Sequence, residues 1–182
     1  MGEEASVMTI EKRITDQLGS DHPDLGDVQQ IVGCHEVADL RFGLVVSRFN
    51  PELTEGLARA AVQALKTHGA RPEQITIIWV PGAFELSGVL EICASRGQYD
   101  ALIALGAVLQ GATPHADAIG QTVVRSLSEI ARTYQLPVID GVVVARTAEQ
   151  ASARCLSGEQ SRGWYAAKAA IEMAQVMKAV KS

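Results

Sequence analysis

Apolar residues recur along this chain in two spacings. Near-continuous apolar runs at residues 41–47, 75–80, 101–109 and 138–145 read as strands. Runs without polar alternation fit strands buried on both faces of a parallel sheet. Residues 31–34 (Ile-Val-Gly-Cys) are a weaker candidate for a further short strand. Between the strands the spacing becomes helical. Leu53, Leu57, Ala61, Ala64 and Leu65 share one helix face that stops near His68-Gly69. Leu86, Val89, Leu90 and Cys93 make a second helix, stopped near Gly97. Ile119, Val123, Leu127, Ile130 and Tyr134 make a third, closed by Pro137. Thr147-Ala148-Glu149-Gln150 has the form of a capping box and opens a short fourth. Trp164, Ala167, Ile171, Ala174 and Lys178 track a fifth, whose apolar face Met173 and Met177 widen.

Strands alternating with helices imply βαβ units and a doubly wound parallel sheet covered on both faces. Ligands of such sheets bind outside the carboxyl ends of the strands. Four loops occupy those ends here: residues 47–51, 81–85, 110–115 and 146–147.

Composition sharpens this picture in a few places. At 182 residues one folded domain is the default. A break in character near residue 30 divides a polar N-terminal extension, residues 1–29, from an α/β domain, residues 30–182. The extension reads as a mobile or docking tail, with a turn at His22-Pro23-Asp24 and a faint helical pattern in Ile10 and Ile14. Its start, Met1-Gly2-Glu3-Glu4-Ala5-Ser6, fits the N-myristoylation pattern, but nothing else suggests a lipid anchor. Aromatics are only 4%, so small side chains must make the helix-to-sheet contacts. A formal charge of −5, with no basic stripe and interleaved aromatics, speaks against nucleic acid. No apolar run approaches the roughly 18–20 residues of a membrane helix. Cys34, Cys93 and Cys155 have neither metal nor redox spacing and read as reduced thiols of a cytoplasmic protein.

The loops carry the candidate chemistry. Gly111-Ala112-Thr113 is a small-residue turn whose backbone N–H groups can approach an anion closely, beside a helix N-terminus. His115 follows at once and can carry protons near neutral pH. Asp117 is two residues away, and i,i+2 neighbours on a helix do not face each other. His115 and Asp117 alone are too few for a metal site. Phe49 either folds onto the core or stacks on a planar ring. Glu85 either complements the start of its helix or holds a heterocycle by hydrogen bonds. Arg154 is either a solvated helix residue or a second, bidentate phosphate contact.

Taken together, these loops resemble lumazine synthases. The resemblance rests on Ser47-Arg48-Phe49-Asn50, on Val80-Pro81-Gly82-Ala83-Phe84-Glu85, and on Ala104-Leu105-Gly106-Ala107-Val108 running into Gly111-Ala112-Thr113-Pro114-His115. Pro137-Val138-Ile139, Gly141-Val142, Glu149-Gln150-Ala151 and Ala170-Ile171-Glu172-Met173-Ala174 extend it over roughly residues 31–178. It implies a flavodoxin-like three-layer αβα sandwich with a four-stranded parallel sheet. It also implies a homo-oligomer, either a pentamer or a 60-subunit icosahedral shell, with active sites between adjacent subunits. The reaction implied is condensation of 5-amino-6-(D-ribitylamino)uracil with 3,4-dihydroxy-2-butanone 4-phosphate to 6,7-dimethyl-8-ribityllumazine, phosphate and water, with no metal or organic cofactor. By the same resemblance Phe49 stacks on the pyrimidine, and Ala83, Phe84 and Glu85 hold the ribityl chain and ring. Ala107, Val108 and Leu109 line the pyrimidine pocket, Ala112 and Thr113 bind the phosphate with help from Arg154, and His115 transfers protons.

Several positions depart from the family pattern. Asp140 stands where an aromatic, usually Phe, covers the heterocycle from the neighbouring subunit. Gln110 replaces the usual Arg before the phosphate turn, and Ala116 and Ala118 replace aromatics after the histidine. Residues 156–163, Leu-Ser-Gly-Glu-Gln-Ser-Arg-Gly, replace Gly-Thr-Lys-Ala-Gly-Asn-Lys-Gly, so that one lysine is lost and another becomes Arg162. Lost positive charge, lost aromatic cover and a carboxylate near a phosphorylated substrate all predict weaker substrate binding. These departures also motivate two alternatives: an assembly or flavin-binding protein with little or no catalysis, and a condensing enzyme for a different carbonyl substrate.

Overall fold

The computed structural model describes residues 26–111 and 115–182. The expectations for the tail up to residue 25, and for Ala112 and Thr113 of the phosphate turn, lie outside the described residues.

Four parallel strands form one sheet: β1 (Phe42–Ser47), β2 (Ile75–Val80), β3 (Ala101–Leu109) and β4 (Val138–Ala145). Their order across the sheet is β2-β1-β3-β4. Pairing runs in register from Phe42 opposite Ile75 and Ala101, and from Leu102 opposite Val138. Five α-helices connect them among the described residues: α1 (Pro51–Thr67), α2 (Leu86–Ser95), α3 (His115–Tyr134), α4 (Ala148–Cys155) and α5 (Arg162–Lys181).

Alternation along the central strands splits the core in two. Phe42, Leu44, Val46, Ile103 and Leu105 meet α1, α4 and α5 on one face. Val45, Leu102 and Ala104 meet α2 and α3 on the other. The result is the three-layer α/β arrangement expected from the strand and helix alternation. Small residues set the helix spacing on the first face. Ala58, Ala61 and Ala64 of α1 lie in the same cluster as Ala166, Ala167 and Ala170 of α5. Gly163 brings the two backbones closest, because a Cβ there would lie 2.9 Å from the Leu57 carbonyl carbon and closer still to its oxygen.

Three sequence expectations are corrected. First, β1 and β3 are the strands buried almost throughout. The edge strands expose apolar side chains, Ile77 and Trp79 on β2 and Val144 on β4. An apolar run cannot tell an edge strand from a central one, because its neighbours come from elsewhere in the chain. Second, residues 31–34 form no strand. They run over α5 instead, with Gly33 so close that a Cβ would lie 2.8 Å from the Glu172 carbonyl carbon. Gln175 donates to the Glu36 carbonyl at 2.8 Å in the same region. The segment then leads into β1 through the buried Gln74 amide, which donates to the carbonyls of Ala38 and Leu40, both at 2.9 Å. Third, Met173 is exposed rather than part of the buried face of α5.

The capping box at α4 is half formed. Thr147 Oγ1 accepts from the Gln150 N–H at 3.3 Å. The Gln150 side chain reaches one residue further back and accepts from the Arg146 N–H at 3.1 Å. Glu149, in the same first turn, has its carboxyl held low by its own backbone N–H and by the Thr147 hydroxyl.

All three cysteines are free thiols. Cys155 is fully buried, and that burial pushes its thiol up from an ordinary 9.0 to about 11, with Arg154 pulling weakly the other way. Between these values the unfolded chain loses the proton while the folded chain keeps it, so stability falls as pH rises. The expected slope is about 1.4 kcal/mol per pH unit from this group. Urea melts of the native chain and of Cys155→Ala across that range would show it. A slope unaffected by the substitution would mean that Cys155 does not contribute it.

Candidate functional site

The carboxyl ends of β1, β2 and β3 meet the start of α3 around one cavity of about 420 Å³. That is within the size range of small-ligand sites.

Phe49 and Asn50 supply the first wall. The loop that carries them is laced to its neighbours. Arg48 N–H donates to the Val80 carbonyl at 2.8 Å, and Phe49 N–H to the Pro81 carbonyl at 3.1 Å. Asn50 takes a left-handed backbone, φ 59°, which asparagine tolerates better than most residues. Its side chain makes no cap for α1 but donates to the Ala107 carbonyl at 3.0 Å, tying the loop to β3. Phe49 is 71% exposed, so it is not folded onto the core. A ring held on a fixed loop and open to solvent is free to stack on a planar ligand.

Residues 82–85 form the second wall. Ala83 is buried and Phe84 is exposed. Glu85 precedes α2 but its side chain makes no capping hydrogen bond. Its carboxylate lies over Gly82 instead, where a Cβ would approach Oε2 to 2.9 Å. Glycine therefore clears the space that the carboxylate occupies, and the acid remains available to a ligand.

Ala107, Val108 and Leu109 form the apolar floor, and His115 with Ala116 closes the far side. His115 is the first residue of α3, is exposed, and makes no hydrogen bond or ion pair among the described residues. Asp117 does not orient it. Its carboxylate accepts from Gln110 Nε2 at 3.3 Å, so the glutamine latches the loop before the phosphate turn to α3.

Asp140 and Arg154 are not in this cavity. Arg154 is exposed on α4 and lines a separate depression of about 600 Å³ with Arg162, Gln150 and residues 142–145 of β4. Asp140 sits on β4 against Arg162. Its Oδ1 accepts from the Val142 N–H at 2.9 Å, and its Oδ2 lies 3.6 Å from Arg162 Nη2. Arg162 Nη2 also donates to the Asp140 carbonyl oxygen at 2.6 Å.

Two residues noted in the sequence were given no site role there. Asn50 carried a weak signal, being an asparagine just before a helix-opening proline. Arg162 carried a clearer one: it stands in the first turn of α5, where the helix dipole disfavours a cation. A cation at the wrong end of a helix needs a counter-charge or a ligand.

Residues 39–178 match a family model described as 6,7-dimethyl-8-ribityllumazine synthase.

Proposed function

The chain belongs to the 6,7-dimethyl-8-ribityllumazine synthase family, and from that premise we propose that it condenses 5-amino-6-(D-ribitylamino)uracil with 3,4-dihydroxy-2-butanone 4-phosphate. The observation that carries this reading is the convergence of Phe49, Glu85 and His115 on a single cavity with an apolar floor. Phe49 stacks on the pyrimidine. Glu85 and the backbone of Ala83 and Phe84 hold the ring and its ribityl chain, over Ala107, Val108 and Leu109. Ala112 and Thr113 bind the phosphate group. Imine formation, phosphate elimination and ring closure each move protons, and His115 serves them at the cavity rim. The rest of the rate enhancement comes from holding two substrates together. The chain's own residues carry the reaction, without metal or organic cofactor.

Arg154 and Asp140 join this site from an adjacent copy of the chain. Among the described residues of one chain no lysine or arginine lines the cavity, since Arg154 and Arg162 line a different depression. The exposed apolar side chains of Phe49, Phe84, Trp79, Val144 and Tyr165 favour assembly into a homo-oligomer, a pentamer or a 60-subunit shell. Residues 1–29 are an extension to a catalytic domain of residues 30–182, and the enzyme works in the cytoplasm. Among the described residues no helix is long and apolar enough to cross a membrane.

Formation of the fluorescent lumazine from the two substrates tests this reading. Turnover that saturates in both is the expected result. No product from folded, assembled protein would overturn it in favour of an assembly or flavin-binding role.

A further inference from the structure

We propose that Asp140 is a positioning residue: it fixes the Arg162 guanidinium on the wall shared with the exposed Arg154, so that the two arginines together receive the phosphate group of the phosphorylated substrate. The inference rests on the function proposed above. It reverses the sequence expectation that a carboxylate at position 140 weakens binding by repelling the phosphate.

Three observations carry it. Asp140 is itself immobilised. Its Oδ1 is taken by the Val142 N–H, and the next residue is closely packed, since a Cβ at Gly141 would lie 2.7 Å from the Ala104 carbonyl oxygen and 3.3 Å from Ala166. Among the described residues Arg162 is gripped through Nη2, which reaches both the Asp140 carbonyl oxygen at 2.6 Å and its carboxylate at 3.6 Å. A guanidinium has five N–H donors in a rigid fork, so most remain for a ligand. Finally, Arg162 lines the depression with Arg154, whereas Asp140 does not. The carboxylate instead lines two other depressions along β4, one of which Arg162 shares. Arg162 sits at the positive end of α5, where two cations and a helix N-terminus would otherwise repel one another. Asp140 offsets that repulsion from outside the depression that the two arginines line, and so reaches the shared site through Arg162.

The test is steady-state kinetics of the assembled full chain with Asp140→Asn, Asp140→Glu, Arg162→Ala and the double variant Asp140→Asn with Arg162→Ala. Removing the carboxylate should raise KM for the ketone phosphate about threefold, the scale of a part-exposed ion pair. Arg162→Ala should raise it about tenfold, the scale of a charge-assisted hydrogen bond. The double variant should be no worse than Arg162→Ala alone, because Asp140 acts through Arg162. Asp140→Glu should recover part of the loss. KM for the uracil substrate and the melting temperature should stay near the parent values, which separates positioning from a structural role. A fall in KM for the ketone phosphate in Asp140→Asn would overturn the proposal, as expected if the carboxylate repelled the substrate. So would additive effects in the double variant. Inorganic phosphate binding, followed by calorimetry, gives a readout that needs no turnover. Weaker phosphate binding in Asp140→Asn and Arg162→Ala supports the proposal even if the parent chain makes no lumazine, which would sink only the proposed reaction. Unchanged binding in both variants, or no phosphate binding by the parent, overturns it.

Discussion

His115→Ala is expected to lower kcat about a hundredfold, near the bottom of the range for general acid–base groups. The lower end applies because the proposed condensation depends chiefly on bringing two substrates together, which His115→Ala leaves intact. Stability should hardly change. His115 is exposed at the first position of α3 and has no hydrogen-bond or ion-pair partner among the described residues. Surface substitutions of this kind shift stability by about 0.5 kcal/mol or less. KM for the uracil should also hold, since Phe49, Glu85 and the β3 floor are untouched. Steady-state kinetics beside a thermal melt would separate these quantities. Undiminished turnover in the variant would remove the assigned role and leave proton transfer to solvent or to the substrates themselves.

Gly163→Ala should be strongly destabilising, because it adds a methyl at the contact between two core helices. The new Cβ would meet only backbone: the Leu57 carbonyl oxygen, its carbon at 2.9 Å and the Leu57 Cα at 3.0 Å. Backbone cannot rotate away as a side chain can, so α1 and α5 must separate. Both helices pack through alanines, which leave no slack to take up the gap. Overpacking at such a contact costs about 3 kcal/mol, equivalent to a fall of about 10 °C in Tm for a chain of this size. Gly88→Ala is the matched control. Gly88 lies within α2, is exposed, and a Cβ there meets nothing within 4 Å. It should be stabilising by up to about 1 kcal/mol, the difference in helix propensity. Equal melting temperatures for the two variants would show that the approach of α1 to α5 has no energetic consequence. The effect matters for the proposed site as well, because Gly163 is next to Arg162.

The contrast between these two glycines indicates where sequence reading runs out. Both stand in helical stretches and look alike along the chain. Only the partner helix distinguishes them. The same holds for the strands. The apolar runs at Ile75–Val80 and Val138–Ala145 gave correct elements, but their exposed Trp79 and Val144 became evident only once the sheet order placed both at edges. Residues 31–34 had the composition of a strand, yet the surface available to Gly33 was α5 and not a strand edge. At the candidate site, Phe49, Glu85 and His115 were readable because each follows a strand, and parallel sheets gather such ends on one side. Arg162 was legible as a replaced lysine, but its contact with Asp140, 22 residues earlier, was not.

By itself, the sequence determined the strands and helices, the doubly wound class and the loops that carry polar chemistry. Those follow from spacing and turn residues, which act over a few positions. The tertiary structure alone decided which strands lie at edges, which loops share a cavity, that Asp140 and Arg154 stand apart from it, and that Asp140 meets Arg162. Those are contacts between residues distant in sequence, set by the packing of whole elements rather than by any local pattern.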